Sequence, residues 1–376
     1  MAMKWYSLLV LLAGVILSFA DPITDILTLV QFYRADHKTW FGVGLAFVIL
    51  PCLFFPILYS GNLCKDGFAD YTCSRICAQT FFCACHPFSA AFIRLEGFIF
   101  YLKELICGDE IDSSWEDDAQ VIIYAHVFFE SVVEAAPQFV IQLYAMSVQE
   151  EPVTVIQMIS LPVSFLSLAW AFTAIDVVTE EGEGNGNAQR VKYKCALFVT
   201  QVLLLSSRLF AICYITVSYK WWVLGVLFLH IFVLAIADTV WLCKRGKCDS
   251  ATSFALILFY CLNLLRDDVS GMFQKTETGD GHSMKELRRM QLFSNVLFVL
   301  ENLVMILLYY FSEHSNNWYS LPVTVCVCVL SVLGAVIRVT LFHFLYKDLD
   351  DETVNSQLNN SNNGPTDECR YWISTV

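Results

Sequence analysis

Charge is scarce in this 376-residue chain: Asp, Glu, Lys and Arg together make up 16% of it, against about a quarter in an ordinary soluble domain. That shortage excludes a water-bathed globular fold of this length. Basic residues are outnumbered by acidic ones, 23 to 36. No basic stripe with interleaved aromatics occurs, so no nucleic-acid partner is expected. The sequence also lacks a G-x-x-x-x-G-K-[ST] loop, a dinucleotide fingerprint and an H-E-x-x-H pair. ATP-driven transport and the familiar membrane-enzyme chemistries therefore have no site, and neither an enzyme activity nor a cofactor is expected.

What is present is apolar: 57% of residues are hydrophobic and 15% aromatic. Stretches long enough to cross ~30 Å of hydrocarbon as a helix recur along the chain. Eight spans are expected, at Trp5–Tyr33, Trp40–Ser60, Asp118–Val148, Val153–Val177, Val191–Val217, Trp221–Cys243, Gln291–Phe311 and Leu321–Tyr346. Phe81–Cys107 and Ala251–Leu265 are too polar or too short to cross and read as re-entrant or interfacial helices. The expected fold is thus an all-α multi-pass membrane protein, with eight transmembrane helices plus two re-entrant or interfacial helices in two similar halves. The halves cover residues 1–180 and 191–346, with a cytoplasmic linker at 181–190 and a disordered cytoplasmic tail at 347–376.

Lys and Arg are retained on the cytoplasmic side during insertion. Most of the 23 fall between expected spans on the same side as the N-terminus. Arg34, Lys38 and Lys220 alone occupy the opposite loops, and Arg208 and Arg338 lie within spans. Both termini are accordingly expected in the cytoplasm. A cleaved leader ending near Ser18-Phe19-Ala20 is disfavoured, because it would leave Asp21–Tyr33 too short to cross. The 15 cysteines give no disulfide framework, since most fall in spans or on the reducing side. Cys73, Cys77, Cys83, Cys85 and His86 cluster as candidates for S-acylation or zinc, but their spacing is not that of a known finger and no metal site is assigned.

Ionisable side chains at the centre of a span cost about 2.5–3.5 kcal/mol each on insertion scales, so a chain that keeps several has a use for them. Asp21 and Asp25 lie in the first span, Glu130 and Glu134 in the third, Arg208 in the fifth, Asp238 in the sixth, Glu301 in the seventh and Arg338 in the eighth. His126, Glu130, Glu134, Gln138 and Gln142 follow one another at intervals of four. Such steps keep neighbours on one side of a helix while drifting ~40° each, so the row winds as it climbs ~24 Å. Pro137 interrupts it. The row reads either as glue between helices or, given two acids and no Lys or Arg among its members, as a wet or headgroup-lined furrow. Pro22 removes a backbone donor between Asp21 and Asp25, and a broken helix is expected there. A cross-half ion pair from Arg208 to these aspartates is expected, snorkelling to headgroups is expected for Arg338, and Glu301 is a further lining candidate.

Several of these segments resemble one family. Phe19-Ala-Asp-Pro-Ile-Thr-Asp25 followed by Val30-Gln-Phe-Tyr33 is similar to the opening span of the XK-related proteins, with its D-x-x-x-D. Phe129-Glu-Ser-Val-Val-Glu-Ala-Ala-Pro-Gln138 resembles their E-x-x-x-E-x-x-P-Q segment, and Ser207-Arg208-Leu-Phe-Ala and Glu301-Asn302 are similarly placed. The resemblance implies eight spans plus two re-entrant helices in two related halves. It further implies plasma-membrane phospholipid scrambling that exposes phosphatidylserine during apoptosis, with Asp21, Asp25, Glu130, Glu134 and Arg208 on a hydrophilic core path. It implies a single-span membrane partner, and activation by a caspase at a terminal cytoplasmic segment. Asp112 and Asp351 end the two caspase-like sequences. The tail closes on Ser374-Thr375-Val376, a candidate ligand for a PDZ protein.

The expected function is energy-independent, bidirectional phospholipid scrambling. Two rival readings stand beside it: a secondary or proton-coupled carrier using the intramembrane acids and His126 as a relay, and a non-transporting structural subunit whose buried charges fix helix register.

Overall fold

The computed structural model describes residues 5–50, 87–107, 130–181, 191–220, 222–244, 284–312 and 318–362. These residues form helices and no strand. Helix α1 is Trp5–Arg34 and α2 is Lys38–Leu50. The re-entrant candidate is described as α3, Ser89–Cys107. A π turn, Ser131–Ala135, leads into α4, Ala136–Val148. Then come α5 (Val155–Glu181), α6 (Val191–Tyr219), α7 (Trp222–Lys244), α8 (Met284–Tyr310) and α9 (Ser320–Asn362).

Polarity is turned inside out relative to a soluble bundle. On α1, Ser18, Asp21, Asp25, Thr28 and Phe32 are buried, at alternating steps of three and four, while Ile16, Ile23, Leu27 and Val30 face outward. Helix α9 repeats the scheme: Ser320, Thr324, Val327, Ser331, Gly334 and Arg338 form one buried seam, with Leu321, Val325, Val329 and Val336 outside. A stripe with that period keeps one face of a helix against its neighbours. Small and hydroxylic residues suit it, because lipid supplies no hydrophobic drive and helices must gain from close packing and hydrogen bonds. A Cβ at Gly334 would stand 2.9 Å from the Leu204 side chain, so this glycine sets how closely α9 approaches α6.

Among the described residues, five helical segments are long and apolar enough to cross a membrane: Leu11–Arg34, Val155–Ala174, Lys192–Tyr219, Leu292–Tyr310 and Ser320–His343. Lys38–Leu50 and Trp222–Ala237 are shorter apolar helices, and the third expected span is described only from Glu130 onward. The chain is therefore an all-helical, multi-pass membrane protein.

Helix α6 is the hub, packed against α4, α5, α7, α8 and α9. Helix α1 packs on α3 and α5. Tight connections join neighbours: Asp36 (φ 62°) turns α1 into α2, and Lys220 (φ 49°) ends α6, its N–H bonding Thr216 O at 2.8 Å. Thr154 and Gln157 start α5 with a reciprocal capping box, Thr154 N–H to Gln157 Oε1 at 3.0 Å and Gln157 N–H to Thr154 Oγ1 at 3.3 Å.

Two expectations need correction. Helix α1 runs unbroken through Pro22. Hydroxyls bond the backbone nearby, Thr24 Oγ1 donating to Asp21 O at 3.0 Å and Thr28 Oγ1 to Thr24 O at 2.9 Å, while the bond that the proline removes is the one from residue 22 to Ser18 O. Helix α9 does not end at Tyr346 but continues to Asn362, into the segment expected to be disordered. No proline or glycine falls between Tyr346 and Gly364-Pro365 to end it earlier. The Ala251–Leu265 segment, the 182–187 linker and the Cys73–Cys85 cluster lie outside the described residues.

Candidate functional site

The polar row of the third span begins on the π turn. Ala136 N–H bonds to Ser131 O, five residues back rather than four. The next residue is Pro137, whose ring would strike the carbonyl four residues earlier in a regular α-helix. Widening the turn relieves that contact. It also has a consequence for the row. A π turn takes roughly 4.4 residues, so a four-residue step there falls short of a full circle by about as much as an α step overshoots it. Glu130, Glu134, Gln138 and Gln142 are consequently all buried, without the steady winding expected from α geometry alone. His126, at the head of the row, lies outside the described residues.

The row faces α1, α2 and α5. Gln142 Nε2 donates to Asp25 Oδ1 at 2.9 Å, and Ser164 Oγ and Ser160 Oγ reach the same oxygen at 3.0 and 3.4 Å. Asp25 is 1% exposed and Gln142 is 0% exposed. Asp21 lies one turn earlier on the same buried face of α1, and Glu134 two turns before Gln142 on the row. The guanidinium of Arg94 on α3 is fixed to α1 at the turn before Asp21, by bonds to Ser18 Oγ (2.7 Å) and Gly14 O (3.2 Å). Gln138 Nε2 donates to Gly44 O at 2.6 Å, which seats α2 over the row. Leu29, Phe32, Val48 and Ala145 complete that seal with Trp40, Phe41, Leu45 and Ile141. The expected furrow is thus a closed internal track in this conformation.

Arg208 is not paired with the aspartates of α1, contrary to expectation. Its Nη1 lies 3.0 Å from Glu301 Oε2 and 3.1 Å from Asn302 Oδ1, and its Cζ sits 5.1 Å from the centre of the Phe298 ring. All three partners are on α8, which packs directly on α6. Asn302 Nδ2 extends the network to Ser207 Oγ and Ser331 Oγ, both at 3.2 Å. His230 of α7 brings Nδ1 to 2.7 Å from Glu301 Oε2. Glu301 is therefore a bridge among α6, α7 and α8.

Arg338 does not snorkel either. It is 3% exposed and its Nη1 lies 2.7 Å from Asp176 Oδ2, the oxygen that also accepts from Gln201 Nε2 at 2.5 Å. One carboxylate so ties α5 to α6 and α9. A guanidinium with a buried carboxylate in reach gains more from that pair than from stretching to a headgroup.

Sequence reasoning missed Asp176, His230, Arg94 and the α5 serines as parts of these centres. Ser160 and Ser164, spaced four apart, were the readable signal for a polar face on α5. Asp176 was masked by its nearness to the acidic run Glu180–Glu183. Asp112 and Ser374, Thr375 and Val376 lie outside the described residues, and Asp351 falls within α9.

Fold and site together define a multi-pass membrane protein with ionisable groups gathered in its interior and an apolar exterior. A family model described as XK-related protein matches residues 9–347, and the chain belongs to the XK-related family. A search of curated proteins finds no match.

Proposed function

We propose that this protein scrambles phospholipids across the plasma membrane, in both directions and without an energy source, and that the conformation described above is its closed state. Eight crossings, with two re-entrant segments and both termini in the cytoplasm, frame the track. One observation carries the reading: a row of carboxylates and amides is held inside the bundle, with Glu130, Glu134, Gln138 and Gln142 at most 9% exposed. Such a row is costly in a sealed interior and favourable beside a passing headgroup, whose desolvation it offsets. Opening requires α2 to leave Gln138, after which the tails stay in lipid while the polar end follows α4.

The test is purified full-length protein in liposomes carrying a lipid with a dithionite-sensitive fluorophore on its acyl chain, with no ion gradient. Full-length and tail-trimmed forms are compared, with Glu130→Gln and Glu134→Gln variants. Loss of fluorescence beyond the outer leaflet, diminished by these substitutions, supports scrambling. Quenching confined to the outer leaflet in every form, while an active relative works in parallel, rejects it. Flux that appears only when a proton gradient is imposed would instead favour the carrier reading.

A further inference from the structure

Among the described residues, buried polar atoms without a partner gather at two centres of opposite chemistry. Around Asp25 they are oxygens: Asp21 Oδ1, Asp25 Oδ2 and Gln142 Oε1. Around Arg208 they are nitrogens: Arg208 Nε and Nη2, and His230 Nε2. The second group already contains its counter-charge, Glu301, at 3.0 Å from Arg208. The first gathers the carboxyl groups of Asp21 and Asp25 on one buried face of α1, with Arg94 fixed at the preceding turn by Ser18 and Gly14.

The arrangement at Asp25 is lopsided in a telling way. Three donors converge on Oδ1, from Gln142, Ser160 and Ser164, and among the described residues none reaches Oδ2. Gln142 is itself 0% exposed, and it uses its amide nitrogen on Asp25 while its amide oxygen is bare. A buried acceptor without a donor is a standing penalty, and such groups in a native structure mark a missing ligand or a functional role. A ligand that relieves several at once must be cationic and must carry several hydrogens on one atom. An ammonium with three N–H groups does both.

We propose that Asp21, Asp25 and Gln142 form a binding site for a primary ammonium group, delivered as the headgroup of an ethanolamine phospholipid. This rests on the scrambling reading and adds a preference to it. A quaternary ammonium brings the charge but no N–H, and is recognised by aromatic faces rather than bare carboxylate and amide oxygens. A glycerol headgroup brings hydroxyls without the charge. The rate order is therefore ethanolamine, then choline, then glycerol. Access is from the α2 side, where Gln138 and Gly44 hold the track shut.

The test uses proteoliposomes holding full-length protein and, in separate preparations, ethanolamine, choline or glycerol phospholipids with the same fluorophore on the same acyl chain. The wild-type ratio of ethanolamine to glycerol lipid rates is expected on the order of tenfold, the scale of a charge-assisted hydrogen bond. Asp25→Asn and Gln142→Met should each bring that ratio toward one. Soluble ethanolammonium, set against tetramethylammonium at equal ionic strength, identifies the source of the cation. Slowing by ethanolammonium alone means that the site also takes the free ion, and no slowing means that it takes the lipid-borne group only; both uphold primary-ammonium recognition. Three equal wild-type rates overturn the site while leaving scrambling intact. A ratio that survives in both variants overturns the assignment of these residues. Absence of flux for all three lipids in the wild type overturns scrambling and the site with it.

Discussion

Arg208 Nη1 stands 3.0 Å from Glu301 Oε2, with the arginine 0% and the glutamate 14% exposed. Deleting one member of such a pair strands the other charge in a poorly solvating interior, at a cost of about 3–5 kcal/mol. Arg208→Gln and Glu301→Gln should each lower the thermal midpoint of the detergent-purified protein. The double variant should recover most of the loss, since two neutral amides carry no stranded charge. A double variant no more stable than the weaker single one would refute the pair as the energetic unit.

Asp176 makes a different prediction because one oxygen serves two helices. Asp176→Ala removes the acceptor that Gln201 and Arg338 share, whereas Gln201→Ala leaves the Arg338 bond in place. Asp176→Ala should therefore destabilise the protein by several times the effect of Gln201→Ala. Recovery of monodisperse protein after graded heating measures the difference, and equal losses would contradict the shared-acceptor geometry.

Much of this was legible in the residues, and the parts that were not share a cause. The spacing of Glu130, Glu134, Gln138 and Gln142 announced a polar helix face, and those four are indeed buried together. Asp21 and Asp25 announced another, and Gln142 joins the two. Sequence states which helices carry charge but not which helices are neighbours. Arg208 had acids available on α1 and on α8, and only packing places it on α8. The same ignorance sent Arg338 to the headgroups and left Asp176 unassigned. The effect of Pro22 is small because it takes away only the one bond to Ser18 O, a loss that α1, packed on α3 and α5, absorbs without breaking.

The contact between Gln138 and Gly44 predicts a gain of function. A Cβ at Gly44 would run into the side chain of Leu29 and lie 3.2 Å from Gln138 Oε1, whereas one at Gly42 meets nothing within 4 Å. Gly44→Ala should push α2 off the track at an overpacking cost of about 1–3 kcal/mol. Basal lipid movement should rise in untreated full-length protein, with Gly42→Ala indistinguishable from wild type. If Gly44→Ala lowers stability without raising the basal rate, α2 is a structural cover and not the gate.

Pro137 holds the π turn open, and the π turn holds Glu130 and Glu134 in line with Gln138 and Gln142. Pro137→Ala removes the ring and restores an N–H, so the turn is free to close into ordinary α-helix. Closing the wide turn by one residue rotates Glu130 by about 100° relative to α4. Glu130 and Glu134 would then leave the face shared with the two glutamines, while the hydrogen-bonding of the helix improves. The expected signature is a combination that simple misfolding cannot produce: unchanged or higher thermal stability, slower amide exchange through residues 131–137, and reduced lipid flux. Amide exchange by mass spectrometry and the fluorescent-lipid assay on the same preparation report the two sides. Full flux with a regularised helix would show that the alignment set by the π turn is not what the track requires.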